Sequence, residues 1–395
     1  MELLKPLQKY QEQTIKNRFF KHSEITAMLM NLNPDKFSVS EIGKSAEGRS
    51  INLVRYGIGE TRVFLWSQMH GDEATATMAL FDLFNFLVAN DDLNELRNSI
   101  FGNCNLYILP MVNPDGAEVF TRRNAQGIDI NRDFNKRQSP EGKLLAETRD
   151  RVNPHYGFNL HDQSTIWSAG QSGNPATISL LAPAFDQELT INDTRLKAMQ
   201  VISLINKELQ QILPGHVGRF TDEHEPRAFG DNFQESGTST ILIEAGGYAD
   251  DSEKQFIRKV FFKALLKGLE VIANRSHLSE IQDNYFSIPE NEKLHFQMLV
   301  KNCELKQGEI TYKADIGLIA KEIVNPDLRS VSYTWLIEDV GDLERYNGYE
   351  ILDAQGLQIT LIKPLVCEEN ADFVLRDGMT TILCIENGRI TDKNF

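Results

Sequence analysis

An α/β fold is predicted for the larger part of this chain: a mixed, largely parallel sheet with helices on both faces, followed by a small β-rich C-terminal domain. Three observations predict it. Apolar runs of strand length alternate with longer runs at helical spacing over residues 1–280, the pattern of strands joined by covering helices. The alternation stops in a polar segment, 274–292, that contains Pro289. From 288 to 395 short alternating runs and turn signals replace helices, which assigns that stretch to a β-rich accessory domain.

The first 30 or so residues are expected to be helical, with Leu3, Leu7, Tyr10 and Ile15 on one side. Strands are predicted at 50–55, 61–66, 105–111, 157–161, 177–181 and 238–244, and helices at 74–88, 140–152, 193–212 and 252–273. Ser139-Pro140-Glu141 is a strong helix start: a serine cap, proline in the first position, then an acid on the positive end of the helix dipole. In the second domain, strands are expected at 295–300, 309–313, 330–338, 357–362 and 380–385. Asn347-Gly348 and Asp377-Gly378 are read as turns between them.

Composition narrows the function classes. With 41% hydrophobic and 25% charged residues the chain is ordinary for a soluble globular protein. A formal net charge of −15 argues against nucleic acid or an anionic membrane as the main partner. No run approaches the roughly 20 apolar residues of a membrane span, and the N-terminus has no apolar core of signal-peptide length. Cys104, Cys303, Cys367 and Cys384 are scattered without a C-x-x-C pair, three of them in strand-like runs where buried free thiols are expected. A cytoplasmic enzyme fits these features.

The richest segment is Ser67-Gln68-Met69-His70-Gly71-Asp72-Glu73. An imidazole and a carboxylate three positions apart, between a buried strand and a helix, can hold one metal ion where α/β proteins place their chemistry. The spacing alone is weak. His277-Leu278-Ser279-Glu280 repeats it in a chain with eight histidines, and is read as a solvated linker. A hydrolytic zinc site takes three protein ligands and keeps one open position. His161, ending another apolar strand in Phe158-Asn159-Leu160-His161-Asp162, is the best third ligand. Between them lie Asn113-Pro114-Asp115-Gly116, an ordinary turn by itself, and a polar loop with Arg122, Arg123, Asn124, Asn131 and Arg132. Planar guanidinium groups in such a loop suit capture of a carboxylate. Glu244 ends the apolar run 240–243 before two glycines. A carboxylate there suits a general base for water beside a metal.

This ordered set closely resembles the zinc carboxypeptidase family, typified by pancreatic carboxypeptidases A and B. The matching motifs are His-x-x-Glu, Asn-Pro-Asp-Gly, Gly-x-Asp-x-Asn-Arg, a strand-end His and a strand-end Glu, over roughly residues 63–247. The resemblance implies one zinc ion per chain on His70, Glu73 and His161, with Asp129 accepting a hydrogen bond from His70. It implies that Asn131 and Arg132 hold the substrate's terminal carboxylate and that Glu244 shuttles a proton from water to the leaving amine. Arg122 is implied to stabilise the oxyanion, with Arg123 as the alternative because adjacent residues of an extended chain point opposite ways. The implied partner is a peptide or amino-acid conjugate with a free carboxylate.

One departure stands out. Digestive members carry a mobile tyrosine about twenty residues before the catalytic Glu, and no tyrosine lies between Tyr156 and Tyr248 here. His224 or Arg227 could take over that gating role, although a solvated loop is the simpler reading. Asp231 falls near the family's side-chain pocket, implying a preference for basic or amine-bearing termini. Two alternatives compete: a zinc deacylase of the aspartoacylase and succinylglutamate desuccinylase group, which shares the metal set and a β-rich C-terminal domain, and a non-catalytic module that binds peptide termini. Asn-Pro-Asp-Gly and the long loop before Asn131 favour the peptidase. Glu244 together with Arg122 weighs against a binding module. No inhibitory propeptide is recognised ahead of the catalytic region.

Overall fold

The computed structural model describes residues 2–395, the side chains of Glu2, Leu3 and Gln307 excepted, so the expected apolar contribution of Leu3 lies outside the described residues. The chain divides into two compact units, one made of residues up to 164 and 176–291, the other of 165–175 and 292–395.

The first unit is built on an eight-stranded sheet: β1 (Phe37–Lys44), β2 (Ser50–Tyr56), β3 (Thr61–Ser67), β4 (Cys104–Leu109), β5 (Tyr156–Asp162), β6 (Ile178–Leu181), β7 (Val217–Arg219) and β8 (Ser239–Ala245). Their spatial order is β1-β2-β4-β3-β5-β8-β6-β7. Four neighbouring pairs are parallel and three antiparallel, so the sheet is mixed. The helices are α1 (His22–Met30), α2 (Thr75–Val88), α3 (Asn94–Asn103), α4 (Pro114–Val119), α5 (Pro140–Val152), α6 (Asp193–Leu209), α7 (Phe229–Glu235), α8 (Gln255–Ala273) and the short α9 (Gln282–Phe286). β3 shows why helices cover both faces. Val63 and Leu65 enter the core beneath α2, α6 and α8, while Phe64 and Trp66 enter a second core with Leu145 of α5 and Phe229 and Phe233 of α7. A strand buried on both faces carries a continuous apolar run, each large side chain contributing about 1.5–3 kcal/mol.

The opening segment is not one helix. A 3-10 turn runs Glu2–Tyr10, contains Pro6, and gives way to irregular chain until α1. Tertiary contacts replace helical hydrogen bonds there. Arg258, fully buried against Asp82, donates to the carbonyls of Ile15 (2.8 Å) and Glu12 (3.0 Å). Leu7, Tyr10 and Ile15 are buried in the main core all the same.

The second unit packs two four-stranded sheets. One comprises His295–Gln307, Ile310–Val324, Val331–Gly341 and Asn347–Asp353; the other Gln358–Leu361, Phe373–Asp377, Thr380–Glu386 and Arg389–Lys393. Met298, Val300, Ile316 and Leu318 from the first meet Phe373, Leu375, Leu383 and Ile385 from the second. Asp377-Gly378 is a hairpin turn, with Gly378 at φ +57°. Asn347-Gly348 is not a turn but the start of a strand parallel to His295–Gln307. No helix among the described residues is long and apolar enough to cross a membrane.

Candidate active site

β3 ends at Ser67, and the next residue, Gln68, adopts φ +52°, a left-handed backbone unusual for a residue with a side chain. Its own amide pins the bend, donating to the Gly71 carbonyl (3.0 Å) and accepting from Thr77 Oγ1 (3.0 Å). The bend delivers His70 and Glu73 from a turn that closes before α2 starts at Thr75, so Glu73 precedes the helix rather than lying in its first turn. Gly71 is forced by its neighbour: a Cβ there would lie 2.0 Å from the backbone carbon of Gly116. That neighbour belongs to Asn-Pro-Asp-Gly, which is a helix start and not a free turn. Asn113 Oδ1 accepts from the Gly116 N–H (2.9 Å), and Asp115 is held by Ser45 (2.6 Å) and Arg49 (2.7 Å).

β5 lies between β3 and β8, and His161 stands in register opposite Glu244. Three ligand-type side chains converge at these strand ends. His70 Nδ1 is 2.6 Å from Glu73 Oε1, His161 Nδ1 is 2.7 Å from Glu73 Oε2, and the donor atoms of the three residues all lie within 4.8 Å of one another. Both histidines are buried. On its far side, His70 Nε2 meets Asp129 Oδ1 at 3.1 Å. His161 Nε2 has no hydrogen-bond partner among the described residues.

Asp129 organises the polar loop. It caps the short 3-10 turn Ile130–Arg132 by accepting from the Asn131 N–H (3.0 Å) and takes Arg122 Nε (3.1 Å) and NH2 (3.0 Å) on its second oxygen. Asn124 folds the loop in between, its Oδ1 accepting from the Ile128 N–H (2.9 Å). Arg122 therefore leans over the ligand set, with NH1 3.1 Å from His70 Nδ1 and 3.2 Å from Glu73 Oε1, while its side chain stays 44% exposed. Arg123 turns away and donates to the Gly127 carbonyl (2.9 Å). Asn131 Oδ1 accepts from the Phe229 N–H (3.1 Å), and Arg132 Nε lies 3.2 Å from Glu225.

Burial and neighbouring charges shift the proton affinities of these groups in opposite directions. Burial opposes charge on His70, but Glu73 and Asp129 outweigh it and raise its pKa to about 9. Burial keeps His161 neutral and lowers its pKa. Glu73 is held well below the ordinary carboxylate range by the two imidazoles despite its burial. Glu244 goes the other way, pushed well above that range by burial and by Glu73 and Asp162. Its Oε2 is buried without a partner among the described residues. A carboxyl with high proton affinity beside a buried N,N,O donor set is suited to proton transfer next to a cation.

The segment 222–227, which holds His224 and Arg227, is pinned by ion pairs. Asp222 binds Arg195 (2.7 Å), Glu225 pairs with Arg227 (2.7 Å), and Asn135 Nδ2 donates to the Pro226 carbonyl (3.1 Å). Asp231 faces inward and accepts from the Glu225 N–H (2.9 Å), with burial raising its pKa to about 6. His277, in the second His-x-x-Glu, is not solvated: it is buried, 2.7 Å from the Tyr156 hydroxyl and 2.8 Å from the Val271 carbonyl. Gln68, Asp162 and Lys254 belong to no motif that assigns them a role. Only the position of Asp162, directly after His161, could have flagged it.

The zinc carboxypeptidase family model matches residues 23–171, which include His70, Glu73, Asp129 and His161. That segment, holding most of the candidate site, is similar to the zinc carboxypeptidases. Among curated relatives, carboxypeptidase B of Astacus astacus is 26% identical over 186 residues, covering 44% of this chain and 54% of that protein. Carboxypeptidase D of Drosophila melanogaster is 25% identical over 250 residues, 57% of this chain and 17% of that one. The chain thus spans at most 54% of the length of these relatives. In structure, the first unit has a carboxypeptidase fold: carboxypeptidase A from Helicoverpa armigera superposes with a TM-score of 0.53 at 17% identity, over 70% of this chain and 80% of that one. These relatives do not favour the deacylase alternative.

Proposed function

We propose that this protein is a zinc-dependent metallocarboxypeptidase that hydrolyses the C-terminal peptide or amide bond of a substrate with a free carboxylate. The carrying observation is the convergence of ligand atoms from His70, Glu73 and His161 within 4.8 Å of one another, with Glu244 in register beside His161. Two imidazoles and a carboxylate are a fitting zinc donor set, and Asp129 fixes the His70 tautomer from behind. When bound, zinc supplies a Lewis acid and lowers the pKa of water to about 7.

The rest is the work of this chain's side chains. Asn131 and Arg132 hold the terminal carboxylate, which aligns the last peptide bond and removes much of the entropic barrier. Arg122 meets the oxyanion as charge develops on the scissile carbonyl oxygen. Glu244 accepts a proton from the attacking water and returns it to the leaving amine. Asp231 adds negative charge near Arg132, and with it a preference for amine-bearing terminal residues. The four free cysteines, three of them buried, fit a reducing cytoplasm.

The test is a panel of N-blocked dipeptides, each with a free and an amidated carboxyl terminus, assayed beside N-acyl amino acids. Cleavage confined to free-carboxyl dipeptides, and abolished in Glu244→Gln with zinc retained, is expected. Hydrolysis of the N-acyl amino acids alone would support the deacylase instead.

A further inference from the structure

Lys254 occupies a position that every local rule disfavours. It is 7% exposed, it stands at the positive end of α8, and its backbone adopts φ +51°. A buried ammonium is costly without a partner, a cation at a helix N-terminus is opposed by the dipole, and a left-handed non-glycine backbone adds strain of order 1 kcal/mol. Such conflicts concentrate where a site requires them.

The side chain makes two hydrogen bonds. Lys254 Nζ lies 3.1 Å from Asp162 Oδ2 and 3.1 Å from the Ala245 carbonyl. Asp162 and Ala245 are themselves paired in register, each one residue beyond a functional side chain: His161 on β5 and Glu244 on β8. Asp162 also receives Thr75 Oγ1 from the first turn of α2 (2.6 Å), and its backbone N–H donates to Glu73 Oε2 (3.1 Å). Thus one ammonium and one carboxylate join the three elements that carry Glu73, His161 and Glu244.

We propose that Lys254 is a positioning residue, locking the ends of β5 and β8 so that Glu244 keeps its angle to the ligand set. The inference rests on the metallocarboxypeptidase reading. Removing the lock lets the strand ends splay, and a misplaced base is felt in the chemical step and not in substrate capture, because Asn131 and Arg132 lie on a separate loop.

The test uses the full zinc-loaded chain with Lys254→Met and Lys254→Arg, measuring kcat, KM and, independently of turnover, zinc affinity by chelator competition. Lys254→Met should lower kcat about ten-fold or more while KM stays within about two-fold, as for an interaction made only in the transition state. Zinc affinity should not weaken, and Lys254→Arg should recover a large part of kcat. Unchanged kcat in Lys254→Met overturns the proposal, as does a parallel loss of zinc affinity, KM and folding, which marks a purely structural clamp. Should Lys254→Met fail to fold, Thr75→Val removes the other side-chain bond to Asp162 with little change in volume. It should lower kcat by about three-fold at constant KM, and no change would again overturn the proposal. Wild-type activity abolished by Glu244→Gln separates this outcome from failure of the functional reading itself.

Discussion

Asp129→Asn offers a quantitative probe of the proposed metal centre. In the wild type one carboxylate takes His70 Nε2 at 3.1 Å, two nitrogens of Arg122 at 3.1 and 3.0 Å, and the Asn131 N–H at 3.0 Å. Asparagine preserves the size of the side chain and one acceptor, but presents an amide donor where Arg122 needs an acceptor. Loss of a carboxylate behind a ligating histidine costs about 10–100-fold in metal affinity, or about 1.4–2.7 kcal/mol. A second effect opposes this at neutral pH. The metal-free His70 carries a proton up to about pH 9, held by Glu73 and Asp129 against burial, and zinc must displace it. Removing Asp129 lowers that pKa and eases the competition. The full loss in zinc affinity should therefore appear above about pH 9 and be partly masked at pH 7. Competition with a chromophoric chelator at both pH values measures it, with circular dichroism to show that the variant folds. Equal affinity of variant and wild type at the higher pH would refute the role given to Asp129.

Three further outcomes follow from the geometry. Zinc binding at pH 7 should release about one proton, seen by titration calorimetry in buffers of different ionisation enthalpy; because the His70 pKa is raised to about 9, its contribution to metal-free stability is complete below about pH 6.5 and lost as pH rises through 9, so a metal-free protein equally stable at pH 6 and pH 10 would contradict the assignment. Gly71→Ala, whose Cβ would meet backbone of Gly116 and Ala117 at 2.0 and 2.3 Å, should destabilise the first unit by about 3 kcal/mol in denaturant unfolding, and no shift in midpoint would contradict the packing. Glu225→Gln frees Arg132 from a partly exposed ion pair worth about 0.2–1 kcal/mol, so KM for a free-carboxyl dipeptide should fall by up to about five-fold at constant kcat; a rise in KM would mean that Glu225 orients Arg132 instead.

The parts legible in sequence share a physical cause. β3, β5 and β8 are buried on both faces, so their apolar runs are unbroken and the polar residues that end them, His161 and Glu244, stand out against them. β1 was not foreseen, because as an edge strand it has a mostly half-exposed and exposed face and a register shift between Glu41 and Gly43. The N-terminal segment mimics a helix in spacing, yet Arg258 and Asp82 hold its backbone by contacts more than two hundred and about seventy residues away in sequence. Asn347-Gly348 has turn chemistry, but pairing with His295–Gln307 overrides it. Lys254 is invisible for the same reason: nothing in Ser252-Glu253-Lys254-Gln255 indicates that its ammonium reaches the ends of two strands.

On the proposed function, His70, Glu73 and His161 bind one cation beside Glu244. Anomalous diffraction at the zinc edge from crystals of the zinc-loaded protein tests it most directly. A single peak about 2.0–2.2 Å from His70 Nδ1, His161 Nδ1 and the Glu73 carboxylate is predicted. Zinc bound elsewhere, or a peak lacking any one of these three ligands, would contradict the account.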